Sequence, residues 1–131
     1  MTKFESLRED FTNALLRLEE ALQEKKTDIV RDSAIKRFEM AFELAWKTIK
    51  AFLEERHNAT CLSPKACFRD AYRQELIEYD EAWMNIADDR NLTAHTYYEP
   101  LAEKIYSELP AALALFKTLA ASLKEKGDMP S

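Results

Sequence analysis

One glycine and four prolines in 131 residues are too few turn formers for the tight reversals of a β-sandwich or barrel. Long helices joined by few turns are what remains. The two cysteines, Cys61 and Cys67, have only His57 near them, which falls short of a four-ligand zinc set; no metal is expected and the thiols read as reduced. No apolar run reaches membrane-spanning length, and Met1-Thr2-Lys3-Phe4-Glu5-Ser6 lacks the apolar stretch and cleavage site of a secretory signal. A cytoplasmic protein without a membrane partner is expected. Basic charge is also short: 19 Lys and Arg against 24 Asp and Glu give a formal net charge of -5 and a pI near 5.2. That balance argues against a broad DNA-binding surface, so any contact with nucleic acid has to be local.

What is present is apolar periodicity. Phe4, Leu7, Phe11, Ala14, Leu18 and Ala21 alternate spacings of three and four, which predicts an amphipathic first helix. The polar run 23–28 breaks it, and Thr27 or Asp28 can cap the next helix. That second helix is predicted from about Ile29 to Glu55, roughly 40 Å at 1.5 Å per residue. Its seam is Ile35, Phe38, Phe42, Ala45, Ile49 and Phe52, widened by Leu44, Trp46 and Leu53, so it needs more than one neighbour. After a loop over 56–62, Ser63 and Pro64 read as N-cap and first residue of a short helix that stops near Tyr72. His57 reads as a cation at a helix C-terminus.

A fourth helix is predicted to begin around Tyr79 to Glu81, with Asp80 as its cap, and to run to Tyr97 or Tyr98, because Pro100 disfavours helix at Glu99. The last segment, from Pro100 through Leu123, is helical with a kink or brief break near Ser107 to Leu109 ahead of Pro110. Gly127 and Pro130 mark a tail. The expected architecture is all-α: an antiparallel, up-and-down four-helix bundle with a short accessory helix, one domain over 1–126 and a flexible tail over 127–131. Trp83, Tyr97, Tyr98 and Phe42 exceed what such a core needs, and the excess suits a homodimer interface.

The chemistry-bearing groups concentrate in Ala87-Asp88-Asp89-Arg90-Asn91-Leu92-Thr93-Ala94-His95-Thr96-Tyr97-Tyr98. On a helix Asn91 and His95, four apart, lie about 40° from one another and Arg90 falls on the adjoining stripe. Trp83, Ile86, Ala87 and Ala94 put Arg90 at the edge of the buried face, where a charge needs a partner. Glu39 and Glu43 are four apart on the second helix: either they form a solvated edge, with Glu43 pairing Lys47, or one of them holds Arg90 from across the bundle. Asp88 can support the site by pairing with Asn91 or His95. The plain alternative is that Arg90 and His95 are cations favoured by a helix C-terminus.

Arg90, four intervening residues, His95, one residue and Tyr97 resemble the Arg-x4-His-x-Tyr signature of HEPN-domain proteins. Arg37-Phe38-Glu39-Met40-Ala41-Phe42-Glu43-Leu44-Ala45-Trp46-Lys47 resembles the nucleotidyltransferase substrate-binding subfamily, to which HepT-like toxins belong. The resemblance implies a HEPN-like fold and a homodimer in which two motifs share one cleft. It also implies a separately encoded minimal nucleotidyltransferase as partner, since this chain lacks the Gly-Ser and paired Asp of such an enzyme.

Two functions follow from the resemblance. In the first the protein is a metal-independent endoribonuclease without cofactor. His95 transfers the proton of a ribose 2′-OH or a leaving oxygen, Arg90 neutralises the phosphorane and Asn91 orients either one. Tyr97 is then the residue adenylylated by the partner, which silences cleavage; an ordinary interface aromatic is the alternative for Tyr97. In the second the chain is a non-catalytic subunit presenting substrate to the transferase.

Overall fold

The structure, a computed structural model, describes residues 1–129. The first four α-helices each start where a side chain takes up free N–H groups. Thr2 opens α1 (Lys3–Gln23) with a reciprocal box: its hydroxyl accepts from the Glu5 N–H and the Glu5 carboxylate accepts from the Thr2 N–H. Thr27 accepts from the Val30 N–H at the start of α2 (Asp28–Arg56). Ser63 accepts from the Ala66 N–H at α3 (Pro64–Arg73). Asp80 accepts from the Ala82 N–H at α4 (Ala82–Leu92). A 3₁₀ turn, Thr93–His95, leads to α5 (Glu99–Gly127). There is no strand among the described residues.

Polar contacts at the helix ends fix the directions. Arg31, near the start of α2, holds Glu99 and Glu103 near the start of α5, while Arg56, at the end of α2, donates to the Lys126 and Gly127 carbonyls at the end of α5. These two helices are therefore parallel. Arg8, early in α1, reaches the Leu123 carbonyl and Asp128, so α1 opposes both. Asp89, late in α4, meets Lys104, early in α5, so α4 opposes α5. The result is an up-and-down, all-α bundle of α1, α2, α4 and α5, with α3 as the accessory helix.

Between the helices lies one aromatic core. Phe38 stacks on Phe116 with centroids 6.1 Å apart, Phe11 meets Phe116 edge-on, Phe4 meets Phe52, and Phe68 bridges Phe42 and Trp83. Each fully buried phenylalanine contributes about 1.5–3 kcal/mol relative to an exposed one. Phe42 and Trp83 belong to this core, at 2% and 3% exposure. They are thus corrected from spare interface aromatics to internal ones; only Tyr97 and Tyr98 of that set are exposed.

Two further expectations are corrected. α5 runs through Pro110 without a break. Buried Leu109, Ala112, Leu113 and Phe116 on either side hold the segment helical despite the missing N–H. Cys61 and Cys67 are joined as a disulfide and buried, not left as thiols: the turn into α3 brings their Cα atoms within 5.1 Å. Gly127 is the last residue of α5. It closes α5 against Phe4 and Arg8, and the guanidinium of Arg56 donates to its carbonyl and to that of Met129. Pro130, the other marker of the expected tail, lies outside the described residues.

Candidate functional site

The Arg90 turn owes its shape to Thr93. The Thr93 hydroxyl donates to the Arg90 carbonyl at 2.7 Å and accepts from Arg90 Nη1 at 3.3 Å. A threonine bonding its own backbone competes with the helical ladder. Accordingly α4 ends at Leu92 and tightens to a 3₁₀ turn, short of the expected stop at Tyr97 or Tyr98. Thr93 is buried and fixes both the arginine and the turn. It is a site residue that spacing arguments alone do not reach; a short hydroxyl side chain three positions after the motif arginine is the sequence signal that points to it.

Arg90 is held from across the bundle. Its Nε lies 3.6 Å from Glu43 Oε1, beyond hydrogen-bond length. That nitrogen is buried and has no hydrogen-bond partner. The Glu43 carboxylate is itself anchored, accepting from the Trp46 indole N–H at 3.2 Å and lying 3.8 Å from Lys47 Nζ. Glu39 does not join it: its nearest cation is Lys36, at 3.5 Å. The guanidinium is partly exposed, so its outward edge can meet an anion.

His95 ends the 3₁₀ turn exposed, and the Tyr98 N–H donates to its carbonyl at 3.1 Å. Tyr97, two residues on, would point about 200° away on a continuous helix. Because the helix has already ended, the chain swings it back, and its ring stands edge-on to the His95 imidazole with centroids 5.9 Å apart. Tyr97 is 83% exposed.

Asn91 and Asp88 turn the other way. Asn91 opens onto a cleft of about 270 Å³ shared with Phe42, Ser63, Pro64, Lys65 and Ala87. It makes no hydrogen bond to Arg90 or His95. Asp88 pairs with Lys65 of α3 at 2.7 Å in place of Asn91 or His95. Asn91 and Asp88 therefore face α3, whereas Arg90 is held by Glu43 of α2 and the His95 and Tyr97 rings pack on one another.

Two charged clusters flank the motif. Arg31, 2% exposed, is ringed by Asp28, Asp32, Glu99 and Glu103, with contacts of 2.6–3.6 Å. Asp28, Glu99 and Glu103 are the described acidic group close enough to share a cation, and the guanidinium already occupies that role. Its hydrogen bonds help hold the Glu99 and Glu103 carboxyls below the usual range, with Lys26 the larger influence on Glu103. On the other flank Asp89 is pushed up to about 7 by burial, by its hydrogen bond to Glu108 and by the like charge there, with Lys104 opposing.

An all-helical bundle carrying an arginine and histidine at the turn between its last two helices defines the class of protein. Residues 7–125 match the family described as nucleotidyltransferase substrate binding protein like. A probable ribonuclease HepT from Haemophilus influenzae is 30% identical over 106 residues, covering 75% of this chain and 73% of that protein. Among solved structures, a protein from Thermus thermophilus superposes with a TM-score of 0.82 at 38% identity, over 87% of this chain and 98% of the other. A Haemophilus influenzae protein described as having the fold of a substrate binding domain of a nucleotidyltransferase superposes at 0.68 with 22% identity, over 92% and 96%, a likeness of fold. The chain belongs to the nucleotidyltransferase substrate-binding, HepT-like family. No helix among the described residues is long and apolar enough to cross a membrane.

Proposed function

We propose that this protein is a metal-independent endoribonuclease of the HepT kind, working as a homodimer and silenced when a separately encoded minimal nucleotidyltransferase adenylylates Tyr97. The observation that supports it most is the edge-on pairing of the exposed His95 and Tyr97 rings at the end of the helix that carries a partly exposed, anchored Arg90. A proton-transfer group, an anion-binding group and a modifiable hydroxyl share one surface turn.

The chemistry requires no metal because the substrate carries its own nucleophile. Neutral His95 takes the proton of a ribose 2′-OH while that oxygen attacks the adjacent phosphorus. The bond from phosphorus to the 5′ oxygen then breaks, leaving a 2′,3′-cyclic phosphate. The departing oxygen takes a proton from a protonated His95 of the second copy, and Arg90 neutralises the phosphorane. One motif has too few groups for both transfers, which is why the dimer belongs to the reading. Asn91, on the α3 side, orients the nucleotide instead of the histidine.

In the silencing step the Tyr97 phenol oxygen attacks the α-phosphorus of ATP on the partner enzyme, pyrophosphate leaves and the phenol proton passes to that enzyme's base. The resulting phosphodiester is an anion that competes with the substrate phosphate for Arg90, and on Tyr97 it is a bulky cover over His95. His95→Ala and Arg90→Ala are each expected to abolish cleavage of RNA while leaving helicity and dimer mass unchanged. Co-expression with the partner is expected to add AMP to the wild type and none to Tyr97→Phe by intact mass. Cleavage undiminished in both alanine variants would overturn the nuclease; label carried by Tyr98 would overturn the switch.

A further inference from the structure

Away from the Arg90 turn, where α3 hands over to α4, lies a cleft of about 220 Å³ to which the proposed reaction assigns no role. It is lined by the buried Phe68 and Trp83, by the exposed Tyr72 and Tyr79, and by Arg69 and Arg73. At that size it is smaller than the roughly 300–1,000 Å³ pockets that enclose a whole small ligand. It suits a part of one, and a flat part.

Tyr72 and Tyr79 are exposed aromatics outside the motif. Both are exposed, at 49% and 67%, yet both are fixed: their rings pack edge-on with centroids 5.7 Å apart, and the Tyr79 hydroxyl donates to Glu81. An exposed aromatic pair already held in place presents a stacking face without the entropy cost of ordering it. Neither ring contributes to the buried core, so the fold does not explain them.

Charge gives the direction. Lys65, Arg69 and Arg73 fall at i, i+4 and i+8 on α3 and so form one stripe about 12 Å long. Lys65 is paired with Asp88 and Arg73 with Asp70, both at 2.7 Å, while among the described residues Arg69 has no carboxylate within ion-pair distance. Glu78, Asp80 and Glu81, from the segment leading into α4, also line the cleft. A phosphate chain is repelled by those carboxylates and drawn along the basic stripe of α3, past Lys65, to the cleft where Asn91 opens. In a chain of net charge -5, this stripe is where an anion can lie alongside an aromatic platform.

We propose that Tyr72 and Tyr79 form a stacking subsite for an unpaired base of single-stranded RNA, with Arg69 binding the neighbouring phosphate. The strand runs along α3 and α4 to the Arg90 turn. It spans the length of α4, about 16 Å for 11 residues at 1.5 Å each. The inference rests on the ribonuclease reading for its substrate class and adds how the RNA is selected: an unstacked base is required, so duplex RNA is excluded.

The test is binding of a short labelled single-stranded oligoribonucleotide with 2′-O-methyl groups, which the protein cannot cleave, to the full chain by fluorescence anisotropy. Tyr72→Ala and Tyr79→Ala are each expected to weaken binding about ten-fold. Tyr79→Phe, which keeps the ring, stays within about three-fold. Arg69→Gln weakens binding and lowers the slope of log affinity against log salt by about 0.7. With cleavable RNA the tyrosine variants raise KM and keep kcat. Unchanged affinity in both alanine variants, or equal affinity for duplex RNA, overturns the subsite. So does a loss of nucleotidyltransferase capture by these variants with RNA affinity intact, which makes the face a protein interface. If cleavage needs His95 but not the tyrosines, the subsite falls and the nuclease stands; if binding needs the tyrosines but the wild type cuts nothing, the reverse holds.

Discussion

Arg31 of α2 and Glu99, the first residue of α5, meet as two planar groups, Nη1 to Oε2 at 2.6 Å and Nη2 to Oε1 at 3.3 Å. Glu99 directly follows Tyr98, so this pair pins the end of the turn that carries His95 and Tyr97. The arginine is buried while its four carboxylate partners are solvated. Replacing Arg31 with Met keeps the stem and leaves Asp28, Asp32, Glu99 and Glu103 repelling one another. Arg31→Met is expected to lower Tm by on the order of 5–10 °C, with part of the loss recovered in high salt as the repulsion is screened. It should also reduce RNA cleavage more than the residual folded fraction explains. A Tm unchanged at low salt would mean the cluster contributes nothing.

Glu43 offers a cleaner separation of site from scaffold. In Glu43→Gln the amide oxygen still accepts from Trp46, but the charge facing Arg90 is gone. Exposed pairs such as that with Lys47 contribute about 0–1 kcal/mol, so stability should change little. Cleavage should fall roughly ten-fold through kcat as the guanidinium loses its anchor. If only KM moves, Arg90 serves binding and not the transition state.

The Asp89 and Glu108 carboxyls give a pH signature. Glu108 Oε2 is buried without a hydrogen-bond partner, and a proton on Asp89 supplies one. Asp89 is raised from its ordinary 3.8 to about 7 in the folded protein. Its stabilising contribution is therefore complete below pH about 4 and is lost as pH rises through about 7. Asp89→Asn keeps the donor and removes the charge. Its Tm should match the wild type near pH 4 and exceed it at pH 8, the difference growing between those limits. Parallel curves for the two proteins would show that Asp89 titrates normally.

Gly127 is the chain's single glycine, and a Cβ placed there would lie 2.5 Å from Arg8 Nη1 and 2.8 Å from the Phe4 ring. The guanidinium can move aside; the Phe4 ring, fully buried and packed on Phe52, cannot. Gly127→Ala should cost about 1–3 kcal/mol through this overpacking, read by chemical denaturation, although alanine is the better helix former. A gain in stability would mean the last turn of α5 relaxes freely.

The helices are legible in the sequence because periodicity is local: the seams Phe4 to Ala21 and Ile35 to Phe52 each bury one face whatever packs there. The Arg90, His95 and Tyr97 spacing is legible for the same reason. What the sequence conceals depends on partners far along the chain. Arg31 sits in an ordinary polar stretch until Glu99 and Glu103 are brought to it by α5. Phe42 and Trp83 look surplus until Phe68, on the accessory helix, is counted as the residue that joins them. Pro110 reads as a breaker by local rules, and only the core on both sides overrides it. The turn at Thr93 is lost when the motif is counted on an ideal helix, although the threonine that ends that helix is in the motif itself.

The three long helices, of 21, 29 and 29 residues, meet through Phe4, Phe11, Phe38 and Phe116, whereas the motif rides on a hairpin of two short ones, 10 and 11 residues. Heat need not act on both parts together. Amides of α3 and α4 should exchange with solvent through openings far smaller than global unfolding, while those of α2 and α5 wait for the whole molecule to melt. Working temperature is then set by the hairpin, and a culture warmed gradually would lose whatever this turn does while the protein still counted as folded.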